Sequence, residues 1–379
     1  MKAISSTYDV IIIGGGLAGL ALAIRLGQTA VKVLVIEKED YPRHKVCGEY
    51  ISLESQPFLE SLGLPLSQMA LPAIRQLQVT DVQGRIVAAP LHPGGFGISR
   101  YTLDAALAQL AVESGCTLLT HTRADEVISE RDQCTVTAGG KVYTARVACG
   151  TWGKRSNLDV KWQRPFIRTP RKPLNNYVGI KYHIRYPWPP SLIALHNFKD
   201  GYGGISAIED GKCCLCYLTR ASQLQKAGSI RQMEQDILFQ NPALKKIFQE
   251  AEFLWEQPVT ISQISFQQKE QVYDHVLLLG DAAGLIAPLC GNGMSMAFHA
   301  AKLAAGIIPA FLSGHITRAQ METQYQQLWK RQFSRRLSVG RLLQGNFGRN
   351  KITSLFLRSM QLLPFLKKAL IKNTFGPTF

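Results

Sequence analysis

Asp281 is an isolated carboxylate in GDAAGLIAPLCGNGMSMA, residues 280–297, and nearly everything beside it is small. The apolar run Val276–Leu279 leads into it as a buried strand would, and Gly291-Asn292-Gly293 opens a stretch of helical character. So little side chain around one acid leaves room for a ligand that brings hydroxyls to the carboxylate. A helix N-terminus next to it would take negative charge on its backbone N–H groups. A second stretch, IIIGGGLAGLALA, sets Gly14-x-Gly16-x-x-Gly19 between a strand and a helix, and Glu37 ends the following strand. The first glycine allows the tight turn, and the second lets the backbone approach a pyrophosphate. The third lets the helix lie close on the strand, while the acid accepts from ribose hydroxyls. That is dinucleotide chemistry.

The two stretches are far apart in the chain, so one ligand serving both must be long. A dinucleotide turn combined with a helix N-terminus suited to the N1 and O2 of a reduced flavin reads as FAD. Asp281 would accept from sugar or ribityl hydroxyls, and Gly291, Asn292 and Gly293 would present N–H groups to the ring. Arg43 and Lys45 suit the cofactor phosphates. Cys47 offers a thiol that could give up a proton or line the pocket. No second GxGxxG follows a later strand, so NAD(P)H as electron donor would visit transiently through a groove. The histidines at 44, 183, 196, 275 and 299 show no ligand spacing. CCLC at 213–216 holds one CxxC in a strand-like run, where alternate residues face opposite ways, so no metal site is expected. The eight cysteines are scattered and read as reduced thiols of a cytoplasmic protein.

These residues need elements to hold them. Tyr8 to Ile13, Leu17 to Leu26 and Val31 to Ile36 read as strand, helix, strand. A helix over Tyr101–Ser114, a strand from Thr117 and a β-meander near 125–149, turning at Gly139-Gly140, complete the first unit. Strand-like runs at 192–198, 203–209 and 212–219 and helical stretches near 229–249 form a second. The expected division is a discontinuous FAD-binding domain over 1–73, 95–156 and 271–322, a substrate domain over 74–94 and 157–270, and a basic helical tail over 323–379.

With these motifs in place the sequence resembles FAD-dependent oxidoreductases of the p-hydroxybenzoate-hydroxylase fold, and within them the geranylgeranyl-reductase-like branch. The likeness runs from residue 8 to about 312 through the glycine turn with Glu37, RHKVCGE at 43–49, SRYTLDAALAQLA at 99–111, GTWGKRS at 150–156 and the GDAAG…GNGM stretch. It implies an α/β fold, with a Rossmann-like FAD-binding domain, a β-sheet substrate domain and a helical C-terminal tail. It also implies that Arg100 reaches the FAD pyrophosphate and that Asp104 belongs to the same helix signature. Asp281 would bind the ribityl or pyrophosphate region, and Cys47-Gly48 would lie near the isoalloxazine, with Cys47 the candidate catalytic residue. Three positions depart from the pattern. Trp152 stands where flavin hydroxylases usually carry an Asp linked to FAD and nicotinamide handling. Ser295 stands where they often carry Asn. GYGGISAIEDGKCCL keeps Tyr202 but not the rest of the Y-x-W-x-F-P strand of prenyl reductases, and YPWPPSL is not the W-x-W-x-I-P of halogenases.

Charge sharpens the reading of the tail. The chain has a net charge of +16, and residues 323–379 hold eleven of its 43 Lys and Arg and none of its 27 acids. SLFLRSMQLLPFLKKALIK, 354–372, alternates apolar clusters with basic residues, as a helix lying on an anionic membrane surface would, or one packed on the body with its lysines exposed. The basic residues form no recognised nucleic-acid motif, so no nucleic-acid partner is expected. No signal peptide is visible, and the apolar run from Ala297 carries His299 and Lys302. The expectation is a cytoplasmic FAD oxidoreductase, soluble or membrane-peripheral, acting on a hydrophobic small molecule such as an isoprenoid, a polyketide or an alkyl-phenol. Two reactions stay open, with reduction of a C=C bond marginally ahead of hydroxylation of an aromatic ring by a flavin hydroperoxide. An electron relay fed by a ferredoxin-like iron–sulfur partner is the third reading.

Overall fold

The computed structural model describes residues 4–130, 132–168, 176–346, 353 and 375–379. The tail stretch 354–372 lies outside the described residues. Two sheets organise the rest. The first has the order Val272–Tyr273, Val276–Leu278, Lys141–Gly150, Ile4–Ile13, Val33–Ile36, Thr117–Leu119, and its central pairings are parallel. The hairpin Ala124–Glu130 and Gln133–Ala138 continues from Lys141–Gly150 as the expected meander, turning at Gly139 and Gly140, both with positive φ. Parallel strands buried on both faces read as near-continuous apolar runs. Val10, Ile11 and Ile12 and the Val276–Leu278 strand are fully buried for that reason.

Helix Leu17–Gly27 packs on this sheet, and helix Gly293–Leu312 packs beside it. Gly280, with φ +59°, is the close-approach residue here: a Cβ on it would sit 3.3 Å from that of Ala18 and 3.6 Å from that of Ala297. Gly293–Leu312 is long and apolar enough to cross a membrane, and more than half of that stretch is buried inside the body. Helix Arg318–Asn346 covers it, burying Met321, Tyr325, Trp329, Phe333 and Leu337, a four-residue spacing that makes one continuous stripe. It begins ahead of the boundary read at 323, and its stripe belongs to the core of the first unit.

The second sheet has the order Glu252–Phe253, Tyr177–Arg185, Cys213–Arg220, Gly201–Ala207, Leu192–Phe198, Ala73–Thr80, Ile86–Gly97, Tyr50–Ser52, with Val259–Ile264 also on Tyr177–Arg185. One face carries a separate core with short helices such as Pro242–Glu250. Tyr50–Ser52 pairs antiparallel with Gly95–Gly97 at the edge of this sheet, and both lie within the stretches read as the FAD-binding domain. The RHKVCGE segment therefore runs from the first sheet directly into the second. The described end of the chain returns to the body: the Gly376 N–H donates to the Glu54 carboxylate, and the Phe379 ring stacks on His299 at 4.0 Å.

Candidate functional site

A cavity of about 540 Å³ opens between the two sheets, and residues from four distant stretches line it. The first is the glycine turn. Gly14 has φ +108°, and a Cβ there would meet the backbone of Thr151 and Trp152 at 2.7 Å. A Cβ on Gly19 would lie 2.2 Å from the Gly14 carbonyl oxygen, so this glycine sets the distance between helix and strand. Gly16 differs, because its nearest neighbour would be 3.8 Å away and its Cα faces the cavity. Glu37, buried at the end of its strand, accepts from the Gly15 N–H at 2.8 Å, the Glu39 N–H at 3.0 Å and Arg43 Nη2 at 3.0 Å. Arg43, a candidate for phosphate, is thus already paired with the ribose-type acid.

The second stretch is helix Arg100–Glu113 with the RHKVCGE segment. Ser99 caps the helix by accepting from the Thr102 N–H. Arg100 donates to both oxygens of Asp104, one turn on, at 2.6 and 2.8 Å, and Lys45 reaches the same carboxylate at 2.6 Å. Burial alone pushes the Asp104 carboxyl up, but Arg100 and Lys45 outweigh it and hold it below its ordinary value. Burial, with Arg100 close by, brings the Lys45 ammonium down to about 8. Both cations line the cavity, and one acid balances the two, so positive charge remains for an anion there. Cys47 and Gly48 line it as well, and nothing lies within 4 Å of where a Gly48 Cβ would be.

The third and fourth stretches are the loops at the carboxyl ends of adjacent strands. Thr151 donates its backbone N–H to Ile13, tying the 150–156 loop to the glycine turn. Asp281 sits in a short 3₁₀ turn, and Gly291, with φ +62°, Asn292 and Gly293 lead into the long helix, all of them lining the cavity. Helices Leu17–Gly27 and Gly293–Leu312 both start at this cavity with no acid in the first turn and no side-chain cap. Two uncapped N-termini, three basic residues and two open glycine positions fit a long anionic ligand with a flat ring at one end, and the residues present therefore fit FAD.

Sequence reasoning missed one buried group at this junction. Glu49 is fully buried with φ +53°, a backbone region that costs a non-glycine residue energy. It is held there by Lys181 Nζ, by His183 Nε2 at 2.6 Å and by the Arg100 N–H at 2.7 Å. Burial raises its carboxyl, and the bonds from His183 and Lys181 more than reverse that. The Cys214 thiol lies close enough to Glu49 and His183 for the three to be compared with a metal site. Lys181 already occupies the carboxylate, and zinc would need a fourth ligand. His44 also lines the cavity, stacked on Tyr101 at 4.6 Å, and burial with Lys181 nearby brings it down to about 4. A signal was present in GIKYHIR, where Lys181 and His183 share one face of a strand whose other face is Ile180, Tyr182 and Ile184.

Beyond Cys47 the cavity continues along the second sheet, where Ile193, Leu195, Leu218, Ile261 and Ile264 make an apolar wall interrupted by Ser206 and Cys216. Trp152, at the motif position that departs from the hydroxylases, lines the cofactor side and donates its indole N–H to Asp159 at 3.2 Å.

Residues 7–149 match the model of an FAD binding domain. Over 351 residues the chain is 24% identical to digeranylgeranylglycerophospholipid reductase of Methanococcus vannielii, covering 87% of this chain and 84% of the relative. It is also 24% identical over 375 residues to conditioned medium factor receptor 1 of Dictyostelium discoideum, covering 88% of this chain and 69% of that one. Among solved structures, the flavin-dependent brominase Bmp2 superposes with a TM-score of 0.79 at 20% identity, covering 97% of this chain and 93% of the other.

Proposed function

We propose that this chain, a FAD-dependent oxidoreductase with the p-hydroxybenzoate-hydroxylase fold, reduces C=C bonds of a hydrophobic, isoprenoid-type small molecule. One observation carries the reading: the cavity that fits FAD runs without a break onto the apolar face of the second sheet. Bound FAD supplies two-electron transfer to such a substrate. The protein's own residues do the rest. Gly16 and Gly48 leave space for close approach, and Glu37 and Asp281 are the acids for cofactor hydroxyls. Arg100 and Lys45 are the cations beside its phosphates. Ile193, Leu195 and Leu218 bury the substrate and exclude water, which strengthens every charge interaction inside. Cys47, where the two halves meet, is the candidate to hold a proton near the reacting carbon. The likeness in sequence to a digeranylgeranylglycerophospholipid reductase supports reduction of an isoprenoid chain.

A second reading is hydroxylation of a lipophilic aromatic, which the loss of all but Tyr202 of the prenyl-reductase Y-x-W-x-F-P strand favours. One experiment separates the two. Holoprotein is reduced anaerobically and given a polyprenyl lipid in neutral or anionic vesicles, and the product is weighed by mass spectrometry. A gain of two hydrogens per double bond is expected, at a higher rate on anionic vesicles if the basic tail docks there. A product heavier by one oxygen, formed from a phenol only when O2 is admitted, would replace reduction by hydroxylation. NAD(P)H and a reduced ferredoxin-like protein are the two donors to compare in the same assay.

A further inference from the structure

The 150–156 loop and the Asp281 loop both line the FAD-type cavity, yet Lys269, Arg164, Gln271 and Asp159, which help to fasten them together, do not. Three consecutive carbonyls of the Asp281 loop are each taken by a side chain. Lys269 Nζ donates to the Asp281 carbonyl at 2.8 Å, Arg164 Nη1 to that of Ala282 at 3.1 Å, and Gln271 Nε2 to that of Ala283 at 3.4 Å. The same cations reach the other loop. Lys269 Nζ also donates to the Lys154 carbonyl at 2.8 Å, and Arg164 Nη1 pairs with Asp159 at 2.8 Å, which in turn accepts from the Trp152 indole. Arg164 is fully buried and Lys269 is 7% exposed, each beside the face of Phe166.

Burying two cations is costly, and a strand end needs neither to stay folded. This pair bridges two backbone loops that line one cavity. Resting on the reading of the cavity as an FAD site, we infer that Lys269, backed by Arg164, is a positioning residue: it clamps the Asp281 loop to the 150–156 loop and so sets how tightly the chain keeps FAD. Trp152 belongs to the clamp. Where the resembled hydroxylases carry an acid in the loop, this chain carries an indole that orients an acid seven residues further on, and that acid anchors Arg164.

The clamp has a built-in pH dependence. The charged groups facing Lys269 are Asp159, Asp281, Glu270 and Arg164, and desolvation, the largest effect, lowers its ammonium to about 8. As pH rises through 8, an ammonium donating to two carbonyls becomes an amine, a poorer donor, and the positive charge behind the site is lost. The fold itself does not lose by this. Because the folded value lies below the 10.5 of a free lysine, deprotonation between 8 and 10.5 relieves a burial cost, so the Lys269 contribution to stability rises with pH there.

The test is FAD affinity of wild-type, Lys269→Met and Lys269→Arg protein by flavin fluorescence at pH 7 to 9, with the melting temperature of each apoprotein. Wild-type affinity is expected to fall several-fold through pH 8 while the apoprotein melts no earlier. Lys269→Met is expected to bind about tenfold more weakly at pH 7, the size of one lost charge-assisted bond, with only the shallower alkaline fall that Lys45, brought down to about 8 beside the phosphates, causes by itself. Lys269→Arg, which stays charged, is expected to keep the affinity at pH 7 and to show only that same shallower fall. Affinity within twofold of wild type in Lys269→Met, or the same alkaline fall in either variant, overturns the clamp. If Lys269→Met does not fold, the pH profile of Lys269→Arg alone decides. Wild-type protein that binds no FAD would instead overturn the cofactor reading.

Discussion

Asp104 and Glu49 are each fully buried, and each is balanced by more than one cation or N–H. Their carboxyls are held below the ordinary 3.8 and 4.5, so their stabilisation is complete above those values and is lost as pH falls towards the lower folded ones. Glu49→Gln leaves the Lys181 ammonium buried without its counter-charge, and a loss of about 3 kcal/mol is expected. Urea titrations at pH 7 and pH 4 check this. The wild type should lose stability towards acid, and the variant should start lower and lose less. Equal stability of the two at pH 7 would show that Glu49 is not the partner holding Lys181.

Elements convert such residues into a site, and the glycine turn shows how selectively. A Cβ on Gly19 collides with the Gly14 carbonyl and Thr151, whereas one on Gly16 would come no closer than 3.8 Å to its nearest neighbour, the Thr151 carbonyl oxygen. Gly19→Ala should therefore cost about 1–3 kcal/mol through a displaced helix. Gly16→Val should melt like the wild type yet bind FAD far more weakly. Parallel measurements of melting and flavin retention distinguish them, and a Gly16→Val protein that keeps its FAD would place the cofactor elsewhere. This turn was legible in the sequence because strand, glycines, helix and Glu37 are neighbours there, and the runs read at 192–198 and 212–219 were legible from their local composition, the second observed as Cys213–Arg220. Glu49 with Lys181, and Lys154 with Lys269, were not. Each pair is separated by more than a hundred residues, and only the completed sheets bring its members together. Arg318–Asn346 was half legible. Its helical character shows in its composition, but a high share of basic residues hid the five-residue apolar stripe that makes it core.

On the scale of the whole molecule, that stripe decides how the body responds to damage near its C-terminal side. Phe333 is fully buried, edge-on to Trp329 at 5.2 Å and to His299 at 5.5 Å, and helix Gly293–Leu312 beneath it starts at the cavity. Phe333→Ala should cost about 3–5 kcal/mol, and FAD loss should accompany unfolding rather than precede it. Flavin fluorescence recorded during a denaturant titration tests this, and release of FAD well before the main transition would mean that the helix N-terminus moves independently of the core.

The strand Val276–Leu278 slots in beside Lys141–Gly150, although most of the second sheet separates the two along the chain. A ribosome therefore delivers the glycine turn early and the other half of the cavity only after more than 250 further residues. Until Asp281 and Gly293 emerge, the nascent chain shows a half-built cleft and a bare edge at Cys149 and Gly150, the end of a strand waiting for its neighbour. Cofactor capture would consequently come late in biosynthesis, after both halves of the cavity have been made.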